Sequence, residues 1–299
     1  DARAQEEGRG PAEELEWERW WREPHAADVK YVEFMGKDNV PFHTVGFPCT
    51  LIGVNERQND DGSWQPANNA PWKLVDQLKG FNWLDYYGGK FSTSQKRGVF
   101  MDHALELLPA DYWRWWVTAN TPETSDSTFT WEQFQAQVNA DLADVLGNFV
   151  NRILKFTEAR FEGVVPAGGE PGELETKLYA DVNAKLAELT ELMEAREFRK
   201  STTALRQLWV LGNQYLTEAA PWTAIKTDVE RAAVVVRTGL NLVALFAKVS
   251  EPFIPFACEK IAIAVGEGYA GEWTSASGAA VLDILPAGRK VAAPEVLFK

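Results

Sequence analysis

Cysteine and histidine are scarce in this chain of 299 residues, which contains two cysteines and three histidines. Cys49 and Cys258 lie far apart, and neither has neighbours at the spacing of a set of zinc ligands. The sequence therefore argues against a zinc knuckle and a disulfide framework, and it favours a reducing compartment. We expect a cytoplasmic protein with no zinc site.

Positive charge is also in short supply, because 30 lysines and arginines stand against 43 aspartates and glutamates, for a formal net charge of -13. Such a balance argues against a protein that coats nucleic acid with a broad basic face. A nucleic-acid partner would have to be held by a restricted patch and by contacts other than summed charge.

Long apolar runs are missing as well. The most apolar long stretch, AAVVVRTGLNLVALFAKV, is interrupted by Arg237 and Asn241 before it could span a bilayer, and the first residues, DARAQEEGRG, contain no apolar signal core. We therefore expect no membrane partner. A hydrophobic content of 45% in a chain of this length indicates a globular protein with room for two domains.

The part up to residue 128 alternates between β-rich runs, glycine turns and helical stretches. VKYVEFMG and FNWLDYY are β-rich, ELEWERWW has helical character, and PFHTVGFPCTLIG is a further apolar segment. Between them lies a polar stretch full of turn-forming residues, NERQNDDGSWQPANNAPW. A sheet flanked by helices is the simplest architecture for this pattern, so we predict an α/β domain over residues 1–128.

The part from residue 129 to residue 299 is predicted to be all α-helical. Apolar residues recur at spacings of three and four between Trp131 and Phe161, which predicts one long amphipathic helix. The tail ILPAGRKVAAPEVLFK is too apolar for a free end, and we expect it to pack back on the body. The further predicted helices, which make a bundle of about five, run from Leu174 to Met193, Glu197 to Thr217, Thr223 to Val249 and Phe253 to Gly266.

A basic, hydroxyl-rich loop, GGKFSTSQKRG, interrupts this acidic chain between Gly88 and Gly98. Its glycines let the backbone turn, its serines and threonine can donate hydrogen bonds, and Lys90, Lys96 and Arg97 bring positive charge. These are the groups that hold a phosphate chain. A plain surface turn is the alternative when the loop is taken alone.

Five separated motifs together resemble the methionyl-tRNA synthetase family of class I enzymes. They are EFMGKDNVPFH, GGKFSTSQ, ANTPETSDSTFTWEQF, LGNFVNR and EAAPW, which occur in the family's order from about Trp20 to the carboxyl end. The resemblance implies the second half of a Rossmann-like nucleotide-binding fold, followed by a helical-bundle anticodon-binding domain. It also implies activation of methionine with ATP and Mg²⁺ to methionyl-adenylate, and transfer of methionine to tRNA(Met).

The segment KFSTS resembles the family's Lys-Met-Ser-Lys-Ser loop, which folds over ATP and stabilises the transition state at phosphorus. The resemblance implies catalytic roles for Lys90, Ser92 and Ser94. Thr93 stands where the family has its second lysine, so we hypothesise that Lys96 or Arg97 supplies the cation instead. We favour Lys96 slightly.

The segment GKD follows a β-rich run, at the strand end where class I nucleotide sites are built. The resemblance implies that Gly36 lets the nucleotide approach the backbone and that Asp38 accepts hydrogen bonds from the ATP ribose. It also places Leu84 at the backbone contacts to adenine. A turn with a capping aspartate is the alternative for Asp38.

The segment PFHTVGF matches the family's methionine pocket. The resemblance implies that Phe42 is one wall, that His43 is a polar group at the rim, and that Phe47 stands where many relatives carry tryptophan. Aromatic walls suit a thioether ligand because sulfur and aromatic rings attract each other. Ordinary core phenylalanines and a structural histidine are the alternatives.

The residues Asn148 and Arg152 are four apart and so share a helix face. The resemblance implies that this pair reads the methionine anticodon and that Trp222, after Pro221 at a helix start, stacks on an anticodon base. An amide and a guanidinium on one rigid support can read the edges of unpaired bases. A hydrophobic staple at the helix start is the alternative for Trp222.

The family's amino-terminal half is not recognisable in the sequence, which has no His-Ile-Gly-His loop and no zinc-binding insertion. We therefore expect this half to be present elsewhere, as a partner of the chain, and the chain alone to be inactive. Two functions remain open: a portion of the methionine-activating enzyme, and a non-catalytic module that binds the tRNA anticodon. A general helical scaffold would explain the bundle but not the anticodon residues.

Overall fold

The computed structural model describes residues 17–67, 71–266 and 284–298. The chain forms two compact units: the first comprises Asp1–Trp83 with Pro122–Asp126, and the second Leu84–Thr121 with Ser127–Lys299. The sequence patterns instead suggest a single change of character between residues 128 and 129. The segment between residues 84 and 121 belongs to the second unit because its strands and tryptophans pack with the helices that follow.

The first unit contains a parallel pair of strands. Strand β1 (Val32–Gly36) pairs with β4 (Gln77–Phe81), and this confirms the predicted β-rich run that ends at glycine. The chain after β1 first becomes helical, with a π-helical turn over Phe42–Gly46 that continues into helix α2 (Phe47–Asn55). The other elements are helix α1 (Glu18–Trp21) and a hairpin of β2 (Glu56–Gln58) and β3 (Trp64–Pro66).

Apolar side chains of the first unit remain largely uncovered. Among its described residues, Ala26 and Met35 are the hydrophobic side chains that are buried. Phe42 is 67% exposed and Phe47 is 45% exposed, and Phe34, on the outer face of β1, is 49% exposed. Phe42 and Phe47 are therefore not core residues of this unit.

The second unit begins with a small sheet and two helices. Strand β5 (Leu84–Tyr86) lies between β6 (Gly89–Lys90), which is antiparallel, and β7 (Ser127–Phe129), which is parallel. Helices α3 (Met101–Leu107) and α4 (Ala110–Ala119) follow the loop after β6. Helix α4 carries several buried aromatic side chains and so joins the helical core.

The predicted long helix is confirmed over Trp131 to Phe161, with an unpredicted change of winding in the middle. It consists of α5 (Trp131–Val138), a π-helical stretch (Asn139–Gly147) and α6 (Asn148–Phe161). In this stretch the side-chain amide of Asn213 donates to the carbonyl of Val145 over 3.0 Å. Buried Asp141, in the same stretch, accepts from Trp115 Nε1 over 3.1 Å and pairs with Arg206.

The remaining helices agree with the predicted periodicity except at one point. The helix predicted from Thr223 to Val249 is wrong at its start, because the chain forms a short helix and then a second one that begins at Val229. Asp228 caps this second helix by accepting from the backbone N–H of Arg231 over 2.9 Å. The helices are α7 (Glu173–Glu194), α8 (Phe198–Ala219), α9 (Pro221–Ala224), α10 (Val229–Ser250) and α11 (Pro255–Ala264).

Helix α10 is the central helix of the second unit. Its length and composition would suffice to cross a membrane, yet 89% of its most apolar 18-residue window is buried inside this unit, which is the placement of a core helix. Two glycines allow helices of this unit to approach closely: a Cβ at Gly239 of α10 would lie 2.9 Å from Ile153 of α6, and one at Gly212 of α8 would lie 2.8 Å from Phe149 of α6. Helix packing at these points therefore requires glycine.

A buried carboxylate ties three helices together. Glu175 of α7 accepts from both terminal nitrogens of Arg231 over 2.7 and 2.8 Å, and from the Tyr215 hydroxyl over 2.6 Å. Burial alone would raise the pKa of the Glu175 carboxyl, but the hydrogen bonds from Arg231, Tyr215 and the Gly172 N–H outweigh it and hold this pKa below its ordinary value.

The tail packs back on the second unit, as predicted. The Asn241 side chain accepts from the N–H groups of Ile284 and Leu285 over 2.6 and 2.7 Å. Farther along, Val291 donates its N–H to the Gly163 carbonyl over 2.8 Å, and the Phe298 side chain is buried. The tail therefore completes the helical core.

Candidate active-site and nucleic-acid-binding residues

The predicted nucleotide residues Gly36 and Asp38 lie in a turn at the carboxyl end of β1. The N–H of Asn39 donates to the Gly36 carbonyl over 2.9 Å and closes this turn. A Cβ at Gly36 would lie 2.8 Å from Asp38 Oδ1, so the absence of a side chain at Gly36 is what makes room for the carboxylate. Asp38 is exposed and its oxygens can accept hydrogen bonds from a ribose.

A neighbouring ion pair, which the sequence analysis missed, holds Lys37 beside this turn. Lys37 Nζ lies 2.8 Å from Asp126 Oδ1 and 5.7 Å from the centre of the Trp83 ring. The N–H of Trp83 donates to the same Asp126 oxygen over 2.8 Å. The hydrogen bonds from Lys37 and Trp83 lower the pKa of the Asp126 carboxyl. Asp126 lies in the family motif ANTPETSDSTFTWEQF, which is the only sequence signal for it.

The predicted methionine residues occupy the π-helical turn and the start of α2. The aromatic side chains of Phe42 and Phe47 are exposed, whereas His43 contacts the strand: its Nδ1 lies 2.7 Å from Glu33 Oε2. The Tyr31 hydroxyl donates to the other Glu33 oxygen. Burial and the hydrogen bond to Glu33 raise the pKa of Tyr31 to about 12.

The predicted catalytic loop is a tight turn between paired backbone groups. Ser92 and Arg97 exchange both N–H to carbonyl bonds over 2.9 Å, and Lys96 has a left-handed backbone with φ of 50°. Ser92 Oγ lies 3.3 Å from Ser94 Oγ and accepts from the N–H of Gln95 over 3.3 Å. The two predicted serine hydroxyls therefore lie side by side at the turn.

The two candidate replacement cations differ in their surroundings. Arg97 Nη2 donates to the Tyr86 carbonyl over 2.6 Å, and the guanidinium lies 5.9 Å from the Tyr86 ring centre. It also fills the space above Gly89, where a Cβ would be 2.6 Å from Nη2. Arg97 thus packs against β5, whereas Lys96 and Lys90 are exposed. Of the two candidate cations, Lys96 is therefore the one whose side chain is exposed.

The predicted catalytic-domain residues are divided between the two units. Gly36, Asp38, Phe42, His43 and Phe47 lie in the first unit. Leu84, in β5, lies in the second unit with Lys90, Ser92, Ser94 and Lys96.

The predicted anticodon residues lie together in the second unit. The Arg152 guanidinium carbon lies 4.7 Å from the centre of the Trp222 ring, at cation–π distance. Trp222 follows Pro221, the first residue of α9, and keeps 37% of its surface exposed. Asn148 is exposed at the first position of α6, one turn before Arg152. The structure therefore joins residues that are 70 positions apart in the sequence.

A groove of about 320 Å³ runs beside Asn148. Helix α6 contributes Asn148, Asn151 and Lys155 to one wall, and the tail residues from Pro294 to Phe298 form the other. The lining of this groove includes Asn148 but neither Arg152 nor Trp222.

Two family models match the chain, one to each part. The model for class I tRNA synthetases (M) matches residues 4–154, and the model for the anticodon binding domain of methionyl tRNA ligase matches residues 165–299. The chain belongs to the methionyl-tRNA synthetase family. The resemblance in the sequence motifs is thus confirmed.

Curated members of the methionyl-tRNA synthetase family are similar along nearly the whole chain. The methionine–tRNA ligase of Caulobacter vibrioides is 64% identical over 95% of this chain and 48% of the relative. That of Maricaulis maris is 54% identical, again over 95% of this chain and 48% of the relative. The chain therefore spans about half the length of these relatives.

Solved structures of the family share the fold. The structure of Mycobacterium tuberculosis methionyl-tRNA synthetase bound by methionyl-adenylate aligns with a TM-score of 0.78 and 21% identity, over 97% of this chain and 53% of that one. The predicted fold class, part of a class I synthetase domain followed by a helical anticodon-binding domain, is confirmed. Within the described part of the chain, no three histidine, cysteine or acidic side chains are grouped as metal ligands.

Proposed function

We propose that this chain is the second half of a methionine–tRNA ligase, which uses ATP and Mg²⁺ to activate methionine and then transfers it to tRNA(Met) in the cytoplasm. The observation that carries the proposal is that the candidate residues lie within the regions that the two family models match. The Gly36–Asp38 turn and the Lys90 loop lie in residues 4–154, and the Arg152–Trp222 contact joins that region, which includes Arg152, to residues 165–299, which include Trp222. Residues 1–128 would form the catalytic part, including the contact to the tRNA stem.

In the activation step, the carboxylate of methionine attacks the α-phosphorus of ATP, a new C–O–P linkage forms, and pyrophosphate leaves. Negative charge grows on the phosphate oxygens, and cations or N–H donors aimed at those oxygens lower the barrier. Lys90 and Lys96 would supply cations, and the Ser92 and Ser94 hydroxyls would donate hydrogen bonds. Asp38 would accept hydrogen bonds from the ribose, and the backbone of Leu84 would contact the adenine. Gly36, which has no side chain, would let the nucleotide approach the backbone of the strand.

The methionine substrate would be held by Phe42, His43 and Phe47. Phe42 and Phe47 expose aromatic surface that a thioether can contact favourably. His43 supplies the polar group beside them. In the second step, a hydroxyl of the tRNA acceptor end would attack the carbonyl of the adenylate, and AMP would leave.

Recognition of tRNA(Met) would use Asn148, Arg152 and Trp222. An amide and a guanidinium can bond to base edges, and the exposed Trp222 ring offers a stacking face for a single-stranded base. The Arg152 guanidinium already lies at cation–π distance from the Trp222 ring, and a side chain held in place before binding would lose less conformational entropy when RNA binds.

A complementary amino-terminal half is the partner that the first unit requires. Its exposed phenylalanines lie on β1, the π-helical turn and α2, and the chain spans about half the length of its relatives. A second half that packed on this surface would bury apolar area and complete the nucleotide site. The chain alone would then lack ATP chemistry.

A non-catalytic anticodon-binding module is the second candidate function. It is favoured by one observation: the residues proposed to read the anticodon all lie in the second unit, whose core is complete among the described residues. Such a module would bind tRNA(Met) without any need for the first unit.

Pyrophosphate exchange distinguishes the two functions. We expect no methionine-dependent exchange with this chain alone, and clear exchange when the amino-terminal half of the Caulobacter vibrioides relative is joined to it. tRNA binding should be seen in both preparations. Strong exchange by residues 1–299 alone would contradict the need for a second half, and binding without exchange in the joined protein would favour the module.

A further inference from the structure

The strand β1 carries a charged side chain on its covered face. Side chains alternate along a strand, so Glu33 and Met35 of β1 point to one side and Phe34 points to the other. Met35 is buried and the Glu33 side chain is only 10% exposed, whereas Phe34 is 49% exposed. A carboxylate in such a position needs hydrogen-bonding partners, because water no longer solvates it fully.

Both oxygens of Glu33 have such partners. Oε2 lies 2.7 Å from His43 Nδ1, and Oε1 accepts from the Tyr31 hydroxyl. Tyr31 immediately precedes β1, Glu33 lies in β1, and His43 lies in the π-helical turn that follows. They form a chain of contacts in which Tyr31 orients Glu33 and Glu33 orients His43.

The chemistry of this contact determines which ring nitrogen carries the proton. An ionised carboxylate can only accept, so His43 Nδ1 must carry its hydrogen and donate. In a neutral imidazole the lone pair then lies on Nε2. The imidazole side chain keeps 37% of its surface exposed, so it is both held by the strand and open to a ligand.

We propose that Glu33 is a positioning residue of the methionine site, which fixes the tautomer and the orientation of His43, with Tyr31 behind it. Neither residue needs to touch the substrate. When the imidazole is neutral, this arrangement leaves His43 Nε2 as a hydrogen-bond acceptor for a ligand. A carboxylate behind a functional histidine has the same effect at metal sites, where losing it costs about 10- to 100-fold in affinity or activity. This inference rests on the proposed function, which assigns His43 to methionine binding.

The test is a set of variants in the complete enzyme, with the KM for methionine and the KM for ATP measured separately by pyrophosphate exchange. Glu33→Ala should raise the KM for methionine by about tenfold and leave the KM for ATP within about twofold. Glu33→Gln keeps the shape and one acceptor oxygen, so it should raise the KM for methionine less than Glu33→Ala does. It also provides a result if Glu33→Ala fails to fold. Tyr31→Phe should give the smallest rise in the KM for methionine.

A double-mutant cycle separates positioning from a merely structural role. Because Glu33 acts through His43, the variant with both Glu33→Ala and His43→Ala should be no worse for methionine than His43→Ala alone. The proposal would be overturned if the two substitutions acted independently, so that their fold-changes in the KM for methionine multiplied in the double variant. An equal rise in the KM values for methionine and ATP would overturn it as well. If His43→Ala leaves the KM for methionine unchanged, the positioning role falls while the ligase function stands. An inactive parent enzyme would instead refute the ligase function.

Discussion

The two units differ in how much of their apolar surface they bury. The described part of the first unit buries two hydrophobic side chains, Ala26 and Met35, and exposes several phenylalanines on one strand and one helix. The second unit has a contiguous core that includes Trp115, Trp209 and Phe149. Hydrophobic burial is the main favourable term in folding, so the second unit carries its own stability. The described part of the first unit buries much less apolar surface, and Phe34, Phe42 and Phe47 stay exposed.

The largest expected effect contrasts a core phenylalanine with an exposed one. Phe149 is fully buried and its ring centre lies 5.2 Å from that of Phe246, so Phe149→Ala should lower the free energy of unfolding of the second unit by about 3 to 5 kcal/mol. Phe47→Ala is the matched control and should change it by less than about 0.5 kcal/mol. Denaturant unfolding followed by helical circular dichroism measures both. Equal losses would remove the distinction between the units.

The buried ion pair of the second unit should give the next largest effect. Glu175→Gln should cost about 2 to 3 kcal/mol, because it removes hydrogen bonds between charged groups. The folded-state pKa of Glu175 is lowered, so its contribution is present above the ordinary carboxyl pKa and is lost as pH falls through the folded value.

Stability should therefore fall more steeply below about pH 4.5 in the parent than in Glu175→Gln. Urea titrations at several pH values measure the difference. Glu188→Gln, in an exposed pair with Lys185, is the control and should cost less than about 0.5 kcal/mol. A parallel pH dependence of parent and Glu175→Gln would contradict the assignment.

Binding of tRNA should depend on the second unit and not on exposed aromatic surface in general. Trp222→Ala should weaken binding of a methionine tRNA by about 1 to 3 kcal/mol, the range for loss of one stacked base. Trp64→Ala is the control, because Trp64 is a 61% exposed tryptophan of the first unit. Filter binding or fluorescence titration measures both. Equal affinity of the parent and Trp222→Ala would refute the anticodon assignment.

The smallest effect concerns the loop cations of the second unit. In the complete enzyme, Lys96→Ala should slow adenylate formation at least about tenfold, or about 1.4 kcal/mol, with ATP affinity nearly unchanged, because the contact forms mainly in the transition state. Lys90→Ala should behave similarly. Arg97→Ala should instead lower stability, since Arg97 bonds to the Tyr86 carbonyl. Single-turnover kinetics measure the rate of adenylate formation in each variant. If Lys96→Ala slows this rate less than about tenfold, Lys90 is sufficient as the cation of the loop.

Sequence patterns predicted the elements whose signals are local. The strand ending at Gly36 and the long helix up to Phe161 follow from short-range periodicity, and both are confirmed. The π-helical stretch before Asn148 was not predicted, because the apolar spacing of this segment fits an ordinary α-helix as well. The break between α9 and α10 was also missed, although Asp228 is an N-cap residue that could have signalled it.

The candidate site residues could be named from family motifs. The contacts that these residues make could not be predicted from the sequence. Glu33 and His43 belong to two segments whose approach depends on how the π-helical turn returns to β1. The same holds for Arg97, whose charge suggests a phosphate contact but whose guanidinium packs on Tyr86.

By itself, the sequence determined the family, the α/β part followed by helices, and the residue types available for phosphate, thioether and base contacts. These features depend on local periodicity and on short motifs, which are written in neighbouring residues. Only the tertiary structure decided that Arg152 lies over Trp222, that Asp126 holds Lys37, and that Glu33 orients His43. Such pairings join distant segments through hydrogen-bonding directions and packing distances, and these exist only once the chain has folded.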